Sequence, residues 1–125
     1  WRVRLPFDHL DHHRNYLRKL SAYAQVFDHE NSLSHRQDCA DACLQMLDNR
    51  APFGTYNVVN PGAVRARDVL ERLLEHGLIH EMPELVPGPV GGTTVSPAKM
   101  LATGVHIRNG LEAIDHSLEN WTRNV

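Results

Sequence analysis

Nine histidines in 125 residues put metal chemistry first among the chemistries to weigh. The densest cluster is Asp8-His9-Leu10-Asp11-His12-His13. The i, i+3 spacing of His9 and His12 would bring two imidazoles together on one helical turn. Spacing supplies no third ligand, and zinc requires three or four in a defined geometry. No metal is expected. Thiol chemistry comes next. Cys39 and Cys43 lie one turn apart in a helical pattern. That placement suits a disulfide poorly, so two reduced, buried thiols are expected, as in a cytoplasmic protein.

The elements that would hold these residues belong to one domain. The chain is 42% hydrophobic and 22% charged, with 13 basic and 15 acidic side chains and a formal net charge of -2. Such a balance gives no general attraction to nucleic acid or to an anionic membrane. No apolar run approaches the ~20 residues needed to span a bilayer.

Trp1-Leu5 alternates apolar and basic side chains and reads as a strand stopped by Pro6. No initiator methionine or leader precedes it, so the chain is expected to be part of a longer protein. A helix follows near Arg14-Tyr23, then short strands at Gln25-Phe27 and Ser32-Leu33. Ser34 and Gln37 have the spacing of a capping box. The helix they would open carries Ala40, Cys43, Leu44 and Leu47 on one face. Thr55-Val59 reads as a strand running into the turn Asn60-Pro61-Gly62. Ala66, Val69, Leu70, Leu73 and Leu74 then form an apolar stripe, ended by Gly77 and expected to pack on Thr55-Val59. Arg65 precedes that helix, where a hydrogen-bond acceptor would normally cap it.

Residues 82–94 read as a loop from their proline and glycine density. Ser96-Pro97 predicts a short helix to about Ala102. Asn109 and Glu112 open the last helix, with Leu111, Ile114, Leu118 and Trp121 on one face. Strands followed by helices indicate α/β layering, with a small sheet and four or five helices.

Three stretches together resemble a known family. "NSLSHRQDCADACLQML", "GTYNVVNPG" and "RDVLERLLEHG" are similar to the C-terminal half of extended short-chain dehydrogenase/reductases. These are the NAD(P)-dependent nucleotide-sugar epimerases, dehydratases and reductases. "RVRLPF" with "RNYLRKL" looks most like the dTDP-4-dehydrorhamnose reductase and epimerase-reductase branch. "VSPAKMLATG" and "LEAIDHSLENW" resemble the closing segment of the same family. The resemblance covers nearly the whole chain, read as one region, residues 1–125.

The resemblance implies a fragment of an extended Rossmann-type fold that lacks the dinucleotide-binding half. In that family a Gly-rich turn holds the cofactor pyrophosphate and a Tyr-x-x-x-Lys pair handles the proton. Neither motif is in this sequence. The expected function is therefore the substrate-side lobe, inactive alone and binding no cofactor itself, with NAD(P) implied for the full-length protein. Its implied partners are a nucleotide-sugar substrate and the cofactor-binding half. Without that half, the strand edge at Trp1-Leu5 is expected to drive a dimer or larger species. A non-catalytic binding module derived from the family is the competing expectation. A Gly-rich turn and a Tyr-x-x-x-Lys upstream of Trp1 would decide for the enzyme.

No catalytic residue is assigned. The implied substrate-binding residues are Arg4, Asn15, Asn31, His35 and Lys99. Arg4 ends the first strand, where a carboxyl-end crevice would lie, and a guanidinium suits a diphosphate. Asn15 matches a position whose amide faces ligand in relatives. Asn31 stands where many relatives carry an arginine, although the rhamnose branch also has Asn-Ser there. His35 follows the same short strand. Lys99 lies on the closing helix. Relatives place an arginine just before that helix, where this chain has Gly92, Thr93 and Thr94.

Overall fold

The computed structural model describes residues 1–88 and 91–122. In chain order the elements are β1 (Pro6–Phe7), α1 (Tyr16–Ser21), β2 (Gln25–Phe27), β3 (Glu30–Asn31), β4 (Ser34–His35), α2 (Arg36–Asp48), β5 (Val64–Arg65), α3 (Ala66–Glu75), β6 (Glu84–Val86), α4 (Ala98–Leu101) and α5 (Gly110–Glu119). Among the described residues this is a mixed α/β arrangement with five helices and small sheets, as expected. β1 pairs with β4 and β2 with β6, both parallel, while β3 and β5 pair antiparallel.

The opening segment departs from the predicted strand. Arg2 alone bridges Asn57 in parallel, through Arg2 N–H to the Tyr56 carbonyl at 2.8 Å and Val58 N–H to the Arg2 carbonyl at 2.7 Å. Leu5 then adopts φ +43°, a conformation that breaks a strand. Past that kink the chain pairs with a different neighbour, Pro6 opposite Ser34 and Phe7 opposite His35. Pro6 starts a strand instead of stopping one, because a strand's first residue can do without its N–H.

Thr55-Val59 forms no strand; Asn57 supplies its one bridge among the described residues. The Ser32-Leu33 strand is also displaced: β3 ends before it and β4 begins after it. Ser32 is occupied elsewhere. Its N–H donates to the Thr93 carbonyl at 3.0 Å, and its Oγ accepts from Val95 N–H at 2.8 Å. Gly92 allows this approach, since a Cβ there would meet the Glu30 carbonyl. The loop expected over 82–94 contains β6, whose three residues fit between Pro83 and Pro87. Pro89 and Val90 lie outside the described residues.

Two cores divide the helices. One gathers Phe7, Leu17, Leu33, Val69, Leu70, Leu73, Ile114 and Leu118, so α1, α3 and α5 pack together. The other gathers Cys39, Ala42, Met46, Tyr56, Val58, Met100 and Val105. Hence α2, and not α3, covers the Thr55-Val59 segment. Gly62 (φ +82°) and β5 carry the chain across to β3 before α3 begins, which delivers α3 to the other layer. Leu70 and Leu73 are fully buried as expected, while Leu74 is 38% exposed.

The face of α2 is also corrected. Cys39, Ala42 and Met46 point inward, and Leu44 and Leu47 are exposed. This helix carries apolar residues on more than one stripe, and contact with Tyr56, Val58 and Met100 selects one of them. α3 ends in a Schellman arrangement, with Leu78 N–H on the Leu73 carbonyl and Gly77 N–H on the Leu74 carbonyl. Arg65 gives α3 no side-chain cap, and Asn109 caps α5 through Glu112 N–H at 2.9 Å. No helix among the described residues is long and apolar enough to cross a membrane.

Candidate functional site

The polar centre of the molecule forms where β4 runs into α2. The Ser34–Gln37 box is not made. His35 caps α2 instead, its Nδ1 accepting from Asp38 N–H at 3.1 Å. Ser34 Oγ is held between strands: it accepts from Arg4 N–H at 2.9 Å and donates to the Val58 carbonyl at 2.7 Å. His35 N–H donates to Asn60 Oδ1 at 2.7 Å. Asn60 Nδ2 donates to Asp38 Oδ2 at 2.9 Å and to the Arg108 carbonyl at 3.1 Å. Arg108 closes the network on both Asp38 oxygens, at 2.6 and 3.1 Å.

Burial alone would push the Asp38 carboxyl up. Hydrogen bonds from Arg108 and Asn60 override it and hold the group well below the usual carboxylate range. Asp38, Asn60 and Arg108 were missed in the sequence. An acidic residue in a helix's first turn was the available signal for Asp38; nothing local announces Arg108, which lies 70 residues away.

The five expected ligand residues lie as follows. Asn15 is buried, and its amide is used within the fold. Oδ1 accepts from Leu17 N–H at 3.0 Å, capping α1, while Nδ2 reaches the Asp8 and Leu10 carbonyls at 2.8 and 2.9 Å. Asn31 Oδ1 accepts from Thr93 N–H at 3.0 Å and so holds the closing segment. His35 is 2% exposed, has Phe7 against its ring edge, and keeps Nε2 buried with no protein partner. Lys99 Nζ donates to the Thr55 carbonyl at 3.0 Å and lies over the Tyr56 ring.

Arg4 is half-buried, and its Nε is sealed from solvent without a hydrogen-bond partner. Among the described residues no carboxylate pairs with it, and no hydrogen bond or ion pair joins any two of the five side chains. Ser34 does bring Arg4 next to His35 through the Arg4 backbone.

Two other chemistries can be judged from the donors present. Among the described residues no three His, Cys, Asp or Glu side chains converge as a metal set. A dinucleotide pyrophosphate needs free N–H groups at a helix start after a strand. At α2 that position is filled by the His35 ring and the Asp38 carboxylate. At α3 the first turn carries Asp68. A carboxylate in each of these first turns opposes a pyrophosphate there. The thiols stay free: burial pushes Cys39 up to about 12, and it also raises Cys43.

No protein-family model and no curated protein matches the sequence. Solved structures do. The fold is similar to the UDP-rhamnose synthase of Acanthamoeba polyphaga mimivirus, with a TM-score of 0.78 and 17% identity over 95% of this chain and 44% of that one. It is also similar to the UDP-glucose 4-epimerase of Thermus thermophilus, solved in complex with NAD. There the TM-score is 0.63, with 18% identity over 95% of this chain and 46% of that one. The chain therefore shares the fold of part of each of these two structures, a mixed α/β, partial Rossmann-like arrangement, and it spans less than half of their length.

Proposed function

We propose that this chain is the substrate-side lobe of an NAD(P)-dependent nucleotide-sugar epimerase, dehydratase or reductase, closest to the rhamnose-forming branch. It binds a nucleoside-diphosphate sugar and is inactive alone. The cofactor belongs to the other half of the whole protein, which also covers the exposed Trp1 and Val3; without that half the same face self-associates. The likeness to two nucleotide-sugar enzymes supports the class.

One observation carries the ligand assignment: Arg4 is a half-buried guanidinium with a sealed, unpartnered Nε and, among the described residues, no paired carboxylate. Burying such a cation is costly unless something pairs with it, and a diphosphate matches its fork. Asn31 and Lys99 serve by holding the closing segment and α4 in place, Asn15 by shaping the loop before α1, and His35 by fixing the start of α2.

Calorimetric titration of the chain with UDP-glucose tests this. Saturable binding that weakens about tenfold or more in Arg4→Ala is expected. Absence of binding, or equal binding by the variant, overturns the assignment and favours a non-catalytic interaction module.

A further inference from the structure

A cavity of about 530 Å³ opens between the loop after β1 and the start of α2. Its floor is polar and buried: Asp8 is 6% exposed and Asn15 5%. The Asp8 carboxylate is consumed within the protein. Oδ1 accepts from Leu10 N–H at 2.9 Å and from Asn15 at 3.2 Å, and Oδ2 accepts from Arg36 at 2.8 Å. Asp8 is thus a post that fixes Arg36, whose side chain remains 63% exposed.

Arg14 and His12 line the same cavity. Arg14 N–H donates to His12 Nδ1 at 3.2 Å. This bond leaves the proton of the neutral ring on Nε2, a donor. The Arg14 guanidinium has no ion pair among the described residues, and the nearby Asp11 is bound to Arg18 at 2.6 Å.

Two guanidinium forks and a ring N–H therefore line one cavity, and its single carboxylate is already spent. A cation would be repelled there, and an apolar group would strand the donors. Guanidinium forks match the oxygens of phosphate. We propose that this cavity is a phosphate-binding site that takes a phosphate monoester or diphosphate group, with Arg14 and Arg36 as forks and His12 as third donor. The site goes beyond the Arg4 assignment and does not rest on it.

The test is titration of the 125-residue chain with sodium pyrophosphate, read by calorimetry and by ³¹P NMR. One saturable site is expected. Arg14→Gln should weaken it about tenfold or more without lowering the melting temperature, since the Arg14 side chain has no ion pair or hydrogen bond among the described residues. Arg14→Lys should restore part of the loss. Arg50→Gln, just beyond the far end of α2, should leave binding unchanged. Equal binding by wild type and Arg14→Gln, or an equal loss in Arg50→Gln, overturns the site. Pyrophosphate binding that depends on Arg14, without UDP-glucose binding, upholds this site and removes the nucleotide-sugar function. UDP-glucose binding that depends on Arg4 but not on Arg14 does the reverse.

Discussion

Arg108 grips the carboxylate of Asp38 with two hydrogen bonds, 2.6 Å to Oδ1 and 3.1 Å to Oδ2. The pair ties the first turn of α2 to the segment entering α5. Asn60 bridges the two residues from the turn between them in sequence. Asp38→Asn should cost about 1.5–3 kcal/mol, the range for hydrogen bonds to a charged group, measured by urea unfolding at neutral pH. A change within ~0.5 kcal/mol would mean that Arg108 is held mainly by other contacts.

The same carboxylate predicts a pH dependence. Its folded pKa is depressed, so its stabilisation is full above the unfolded value of about 3.9 and is lost as pH falls toward the folded one. Melting temperatures recorded from neutral pH down through that window should fall more steeply for wild type than for Asp38→Asn. Parallel curves would assign the acid sensitivity to other groups.

Leu73 of α3 is fully buried in the core that α3 shares with α1 and α5. Leu73→Ala should cost about 2–5 kcal/mol by denaturant unfolding, from lost burial and the cavity left behind. A loss below ~0.5 kcal/mol, typical of a surface change, would place Leu73 outside the core.

Arg65 occupies the N-cap position of α3 and caps nothing. Its ion pair with Asp28 is long, at 3.5 Å, and partly exposed, so it is worth little. Arg65→Ser should supply an acceptor for the first turn and raise stability by roughly 0.5–1 kcal/mol. A lower melting temperature would show that the Asp28 contact outweighs the cap.

The two thiols should differ in reactivity. Cys39 is buried with its pKa pushed up to about 12, while Cys43 is partly exposed. The thiolate is the reactive form. Iodoacetamide at pH 8 should label Cys43 first and Cys39 only in denaturant, as mass spectrometry of peptides would reveal. Early labelling of Cys39 would contradict the packing of α2 on Val58.

Several local features were legible from neighbouring residues alone. The caps of α3 and α5 were: Gly77 ends one helix because it can adopt φ +75°, and Asn109 begins the other because its side chain accepts from the backbone three residues on. Gln25–Phe27 was legible as a strand, although its partner β6 was hidden among prolines. Arg4 was expected at the end of a strand, but it lies between the Arg2 bridge and β1, and its lack of a carboxylate partner among the described residues depends on neighbours distant in sequence. The phosphate cavity was also out of reach, because it depends on Asp8 steering Arg36 across 28 residues.

The sequence by itself determined the helices, their turns and the α/β class, because these follow from interactions within a few residues. Tertiary structure decided which face of α2 is buried, which core receives α3, and which polar groups spend their hydrogen bonds inside the fold. Those outcomes depend on partners distant in sequence. A helix with two apolar stripes has no local reason to prefer one. An asparagine or histidine cannot be told from a ligand-binding one until its neighbours in space have taken, or left free, its donors and acceptors.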